Sequence, residues 1–479
     1  MGCKVAGLQG CWVARSPSNP LTQQPSNPAT KATPPRDRAT ERYTYPALPP
    51  RAKLLTVLGV TFGLAVTVGN MIGAGILRTP GDIAAQLPTF WPFLAVWIVG
   101  GLYALLGANA LAELGTLVPE SGGQYVFVRR ALGDYAGLVV GWSDWISTCG
   151  TTAAVSIVVG EYTLVLFPAL RGIEPIALAV IAIFTLIQWF GVRWGGWTQD
   201  ATSLLKALAF LFLIAACFYL GTRHPTAASI VAEQEGSLAI AFILALQSVI
   251  YTYDGWTAVI YFSEEVKDSG RNIPRAMFGG VFAVMAIYLL VNVAFLRVVP
   301  LGSIAGQKMA AGVVAHHLFG AYGDPILRVI MIVSLLSAAN SNVLMAPRVL
   351  FAMSRDRLFW RGAAEVNRGG TPDIALLFSS LLAAVFVISG RFEQVIAILA
   401  FFFVANYALS FASLFAMRRS APGAPRPFRA IGHPFTTGLA FLASVAFLIG
   451  AILSDTRNSL YAVGVLVLSI PLYLLVRRK

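Results

Sequence analysis

Two short stretches of the chain hold residue types suited to binding a small charged solute. The first, Gly69-Asn70-Met71-Ile72-Gly73-Ala74-Gly75-Ile76, places three glycines within an otherwise apolar run. Each glycine costs roughly 1 kcal/mol relative to alanine in a helix, so a continuous helix is disfavoured there. The second, Tyr251-Thr252-Tyr253-Asp254-Gly255-Trp256, sets a carboxylate and a glycine in the middle of another apolar run. A carboxylate at membrane depth is costly and marks function by default.

Unwinding at such places frees backbone N–H and C=O groups. The N-terminus of the helix that resumes after the first break carries partial positive charge and suits a carboxylate. Freed carbonyls at both breaks suit an ammonium group. Together they fit the two ends of a zwitterionic amino acid. Each feature also has a plainer reading. Small residues at this spacing let helices approach closely, and a buried Asp can be a structural acceptor. Breaks at matching places in two halves of a chain favour a transport site.

The elements that must position these groups follow from composition. Of the 479 residues, 57% are hydrophobic and only 12% are charged, about half the share of roughly 25% in soluble domains. That excludes a soluble enzyme and a disordered regulator. Long apolar runs rather than alternation argue against a transmembrane β-barrel. A polytopic helical membrane protein remains.

Twelve apolar segments of spanning length are expected, near 54–86, 91–117, 136–167, 174–191, 200–221, 238–267, 274–299, 325–354, 373–390, 393–417, 434–454 and 458–476. The breaks fall in the first and the sixth, five helices apart. Helices 1–5 and 6–10 then form two halves of inverted topology. With the N-terminus inside, most of the 35 Lys and Arg lie on the inner side, so both termini are expected in the cytoplasm. The net charge of +13 reflects topology rather than nucleic-acid binding.

Residues 1–50 are rich in Pro, Ser, Thr and Gln and are expected to form a disordered cytoplasmic tail, or to arise from an early start codon. No signal peptide is read there, and Ala6 stands where a myristoylation site requires Ser or Thr. Cys3, Cys11, Cys149 and Cys217 show no metal-ligand or disulfide pattern, and the four histidines form no metal or catalytic motif.

The chain resembles the amino acid–polyamine–organocation (APC) superfamily, closest to its L-type amino acid transporter branch and prokaryotic relatives. The glycine stretch at 69–76 is similar to the family's helix 1 signature. Ala112-Glu113-Leu114-Gly115 with Pro119-Glu120-Ser121-Gly122-Gly123-Gln124-Tyr125 is similar to its second signature. The most specific match is Tyr253-Asp254-Gly255-Trp256 with Glu264-Glu265-Val266-Lys267 and Arg271-Asn272-Ile273-Pro274. Pro347-Arg348, Met353 to Asp356, Thr371-Pro372 and Arg426-Pro427-Phe428-Arg429 complete it.

The resemblance covers residues 51–479 and implies an all-α five-plus-five inverted repeat (LeuT-like). Repeat one would span about 54–221 and repeat two about 238–417, with two added helices over 434–476. It implies secondary transport of amino acids, by proton-coupled symport of neutral substrates or, alternatively, by exchange that accepts cationic ones. Carried over by position, the Met71 carbonyl takes the substrate ammonium. Ala74 and Gly75 N–H groups hold the carboxylate, with Ile72 and Gly73 between them. Tyr251 and Asp254 offer carbonyls, and Tyr251 also occupies the place of an aromatic gate. Asn342, Thr148 and Thr152 are further lining candidates. Both threonines can instead bond their own helix backbone.

Lys206, read as about six residues into helix 5 and near 9 Å deep, either snorkels to the inner interface or faces the helix 1 break. In the family such a lysine stands in for a sodium ion, and here it is the expected proton carrier. Trp145 and Trp256 are read as packing residues. Glu264, Glu265, Lys267, Arg271 and Arg275 are read as a solvated cytoplasmic cluster.

No metal, cofactor or nucleic-acid partner is expected, only amino acid, proton and membrane lipid. The loop at 167–173 lacks the cysteine that links animal relatives to a heavy chain. A stand-alone monomer or homodimer is therefore expected. An intramembrane enzyme is disfavoured for want of catalytic motifs, a channel for want of a continuous polar stripe. A non-transporting amino acid sensor is the remaining rival.

Overall fold

The computed structural model describes residues 53–221, 237–389 and 392–454, with scattered positions between 460 and 469. The expected tail and most of the twelfth segment lie outside the described residues. Among those described, every regular element is helical, apart from a single parallel bridge between Leu58 and Val266.

The first segment is two helices, α1 (Val60–Met71) and α2 (Gly75–Gln86), bent by 45° at the glycine stretch. Then come α3 (Phe90–Leu117), a short α4 (Gln124–Leu132), α5 (Asp134–Leu166), α6 (Ile173–Trp189) and α7 (Val192–Leu220). The sixth segment also breaks. Helix α8 (Leu238–Thr252) gives way to turns and then to a 3-10 segment, Ala258–Phe262. The remainder is α9 (Ser269–Val298), α10 (Leu301–Ile304), α11 (Ala310–Phe319), α12 (Gly323–Arg355), α13 (Asp373–Ser389), α14 (Phe392–Ser420) and α15 (Phe435–Ser454). Among the described residues seven helices are long and apolar enough to cross a membrane, or eight with the bent pair as one span. Shorter apolar helices cover 173–189, 238–252 and 373–389.

Two groups of helices pack within themselves. One holds α1, α2, α3, α8 and α9, and the other α5, α6, α12 and α13. Helix α7 touches both, on α1 and on α12. Small residues permit this. A Cβ at Gly69 would stand 2.2 Å from Gln199 Nε2 and 2.5 Å from Ser203 Oγ, so glycine lets α1 close on α7. The plainer reading of Gly69 as a packing residue is therefore correct.

Helix α7 begins at Val192, eight residues earlier than the apolar run suggested. The added turns hold the polar Arg193 and Gln199, which lie outside the apolar run. Gln199 instead faces the helix bundle, where it bonds Ser203 and Asn340 at 2.9 and 2.8 Å. Lys206 is thus about 21 Å along its helix at 1.5 Å per residue, far from the shallow placement expected.

Candidate functional site

The two breaks pack directly on each other. Gly255 adopts φ +106°, and a Cβ there would lie 2.8 Å from the Asn70 carbonyl carbon and 2.9 Å from the Met71 nitrogen. Only glycine combines that backbone angle with that approach. A cavity of about 400 Å³ lies at this junction. Met71, Gly73, Ala74, Gly75, Tyr251, Asp254 and Asn342 all line it. Ile72 does not. Its side chain is fully buried and its carbonyl accepts from Lys206 and Ser334, so it belongs to the wall behind the cavity.

Chemistry at the break follows from helix ends. Helix α2 starts with its first N–H groups unpaired within the helix, and Ala74 at its N-cap makes no side-chain cap. Helix α1 ends with carbonyls of partial negative charge. The Met71 carbonyl accepts from Tyr288 Oη at 2.8 Å, and the Thr252 carbonyl lies 3.0 Å from the same hydroxyl. One hydroxyl hydrogen cannot fully satisfy both, so this carbonyl pair keeps acceptor capacity.

Lys206 is fully buried, which excludes snorkelling. Its Nζ donates to the carbonyls of Gly69 and Ile72, each at 2.6 Å. Both belong to the C-terminal turn of α1, where a cation is favoured. The first break is thereby bridged to α7 by an ammonium group that makes no ion pair among the described residues.

Asp254 accepts from Tyr407 Oη. Asn342 donates to Asn70 Oδ1 at 3.2 Å and to its own helix at Ala338. Thr148 and Thr152 donate to the backbone four residues back, at 2.8 and 2.9 Å. Thr148 and Thr151 line the cavity, whereas Thr152 is turned away from it. Trp256 packs on Tyr407 and Gly107, and Trp145 donates to Ser379, so both are packing residues.

One side of the cavity runs along α2 to Arg78, Thr79 and Asp82. Tyr251 is 46% exposed while lining it, so this ring does not close over the cavity. The other end is shut. Leu58 N donates to the Glu265 carbonyl at 3.0 Å and Lys267 N to the Leu58 carbonyl at 2.8 Å. Glu265 meets Arg348 in a fully buried pair, and Glu264 meets Arg355 at 2.8 Å. The expected solvated cluster is therefore corrected. Lys267, Arg271 and Arg275 are exposed, but Glu265 is sealed because α12 presents it an arginine from beyond the reach of local sequence.

Several contributors escaped the sequence reading. Tyr288 and Tyr407 are lone aromatics in apolar runs and carry no local signal. Asn70 and Arg348 stood inside quoted motifs without an assigned role. Glu113, also inside a motif, is buried and binds Arg418, Arg426 and the Ala430 N–H. Asp144 had a readable signal, an acid within an apolar run.

Two discontinuous helices crossing around one cavity define a carrier-type integral membrane protein. A family profile described as amino acid permease matches residues 54–470, and the chain belongs to that family. It is 28% identical over 424 residues to the serine/threonine exchanger SteT of Bacillus subtilis, covering 87% of this chain and 95% of that one. It is 26% identical over 396 residues to the human b(0,+)-type amino acid transporter 1, covering 80% of each. It is 26% identical over 388 residues to the mouse large neutral amino acids transporter small subunit 2, covering 78% of this chain and 72% of the relative.

Proposed function

We propose that the protein carries neutral amino acids across a cell membrane by alternating access, driven by proton entry. The observation that carries this reading is the junction of the two breaks. Unpaired N–H groups at Ala74 and Gly75 face the same cavity as the half-satisfied Met71 and Thr252 carbonyls. A carboxylate and an ammonium on one α-carbon fit that pairing. The remaining lining is largely uncharged, with Thr79, Thr148, Thr151 and Thr257 beside Val155 and Leu335, which suits a neutral side chain.

Twelve spans in two inverted repeats, with both termini in the cytoplasm, complete this reading. In that orientation the structure is open outward and closed inward. Tyr251 would swing over bound substrate as the outer gate. Lys206 acts as a fixed cation in place of a bound metal ion, because its Nζ donates to the Gly69 and Ile72 carbonyls at the C-terminal end of α1. The carrier works without a disulfide-linked partner, as a monomer or homodimer.

A second reading has an observation of its own. Asp254 puts a carboxylate into the cavity wall, which favours cationic substrates, and a relative is named as an exchanger. The test is uptake of a labelled amino acid panel by proteoliposomes, with and without an inward proton gradient and a preloaded lumen. Accumulation of neutral amino acids under the gradient supports symport. Uptake only into preloaded vesicles establishes exchange instead. Binding without any uptake leaves a sensor.

A further inference from the structure

A buried acid lies behind the cavity. Asp144, in the first third of α5, is fully buried. Among the described residues its carboxylate accepts from one group, Tyr261 Oη, at 2.7 Å to Oδ1 and 3.0 Å to Oδ2. No cation pairs with it among the described residues. The cations of α4 and α12 are committed elsewhere, Arg129 to Asp134 and Asp356, Arg130 to Glu120, Arg348 to Glu265, Arg355 to Glu264 and Glu120, and Arg328 to Asp324. Helices α6 and α13 carry one acid each, Glu174 and Asp373, both in their first turns. Tyr125 of α4 bonds Asp356 and Tyr407 of α14 bonds Asp254.

Removing a carboxylate from water with no cation to meet it is costly, and a proton cancels that cost. Tyr261 supplies the route. It lines the cavity together with Gln124. Tyr261 also sits on the 3-10 segment of the broken sixth span, while Asp144 belongs to the other packed group of helices. Their bond is thus a tie between the two groups.

Resting on the symport reading above, we propose that Asp144 is the binding site of the coupling proton. A proton from cavity water joins Tyr261 Oη as the hydroxyl hydrogen passes to Asp144 Oδ1. One O–H bond forms on the carboxyl and one breaks on the phenol, which the incoming proton restores. The charge-assisted bond then becomes a neutral one, roughly half as strong. The tie between the 3-10 segment and α5 loosens, and the segment that carries Glu264 and Glu265 is freed to move.

The test compares wild type, Asp144→Asn, Asp144→Glu and Tyr261→Phe, reconstituted at full length. Gradient-driven accumulation of a neutral amino acid and counterflow between preloaded vesicles are measured across a pH series. Asp144→Asn is expected to lose accumulation and its pH dependence while counterflow persists, since counterflow needs no proton release. Asp144→Glu is expected to keep accumulation with a shifted pH profile, and Tyr261→Phe to slow it. Wild-type coupling in Asp144→Asn overturns the proposal. So does equal loss of accumulation and counterflow in a monodisperse preparation, which marks a structural role. If Asp144→Asn aggregates, an unshifted profile in Asp144→Glu overturns it. Wild-type uptake that ignores the gradient removes the proton and this proposal but leaves the carrier standing. No wild-type uptake at all removes the carrier reading itself.

Discussion

Arg348 and Glu265 meet edge to edge, Nε to Oε1 and Nη2 to Oε2 both at 3.0 Å, with each side chain at most 1% exposed. The third guanidinium nitrogen donates to the Leu344 carbonyl, and the guanidinium lies over the Phe262 ring at 5.0 Å. Such a pair contributes little over a well-packed apolar one, but removing one partner costs about 3–5 kcal/mol. Glu265→Gln or Arg348→Ala is therefore expected to lower the unfolding temperature in detergent sharply. Because the pair closes one end of the cavity, a cysteine placed beside the cavity should label faster from the side of the membrane that bears Lys267 in the variants. Unchanged stability would contradict the burial of this pair.

Lys206→Ala leaves the Gly69 carbonyl without its donor and the Ile72 carbonyl with Ser334 alone. Each unsatisfied buried carbonyl costs about 1–3 kcal/mol. Transport is expected to fall at least tenfold, corresponding to about 1.4 kcal/mol, with reduced thermal stability. Wild-type uptake should be the same when sodium is replaced by choline. Dependence on sodium would refute the fixed-cation role.

The glycines of the two breaks should answer differently to one added methyl group. Gly255→Ala meets the Asn70 backbone at φ +106° and is expected to cost about 1–3 kcal/mol in strain alone. Loss of expression or uptake is the expected readout. At Gly73 nothing lies within 4 Å of the added Cβ, and the residue lines the cavity. Gly73→Ala should fold normally and raise KM, by about tenfold or more for the larger substrates.

Asp254→Asn separates the two substrate readings. A neutral substrate should keep its KM within a few-fold, about 1 kcal/mol. Inhibition of that uptake by arginine or lysine, if present in the wild type, should vanish. Equal loss of neutral and cationic substrates would show that the Tyr407 bond supports the break itself.

Tyr288→Phe removes the hydroxyl shared by the Met71 and Thr252 carbonyls. The expected loss is about 1–3 kcal/mol of stability. Substrate is expected to protect the variant more than the wild type, since its ammonium supplies the missing donor. A thermal-shift titration reads this directly.

Much of this was legible from sequence alone. Few charges and long apolar runs dictate membrane helices, because lipid leaves no other way to satisfy the backbone. Glycines and an acid in mid-run mark Gly69–Ile76 and Tyr251–Trp256 as breaks, because a lipid-embedded helix has no local reason to hold them. Tertiary structure decided the rest. Lys206 is a bridge rather than an interfacial lysine because α7 starts earlier and α1 ends against it. Glu265 is buried rather than solvated because Arg348 arrives from α12. Asp144 and Tyr261, 117 residues apart, meet only when two packed groups of helices come together. Local sequence sets where a helix stops and which groups it leaves unpaired. Which distant side chain satisfies them depends on how the helices pack, and no single window of the chain contains that.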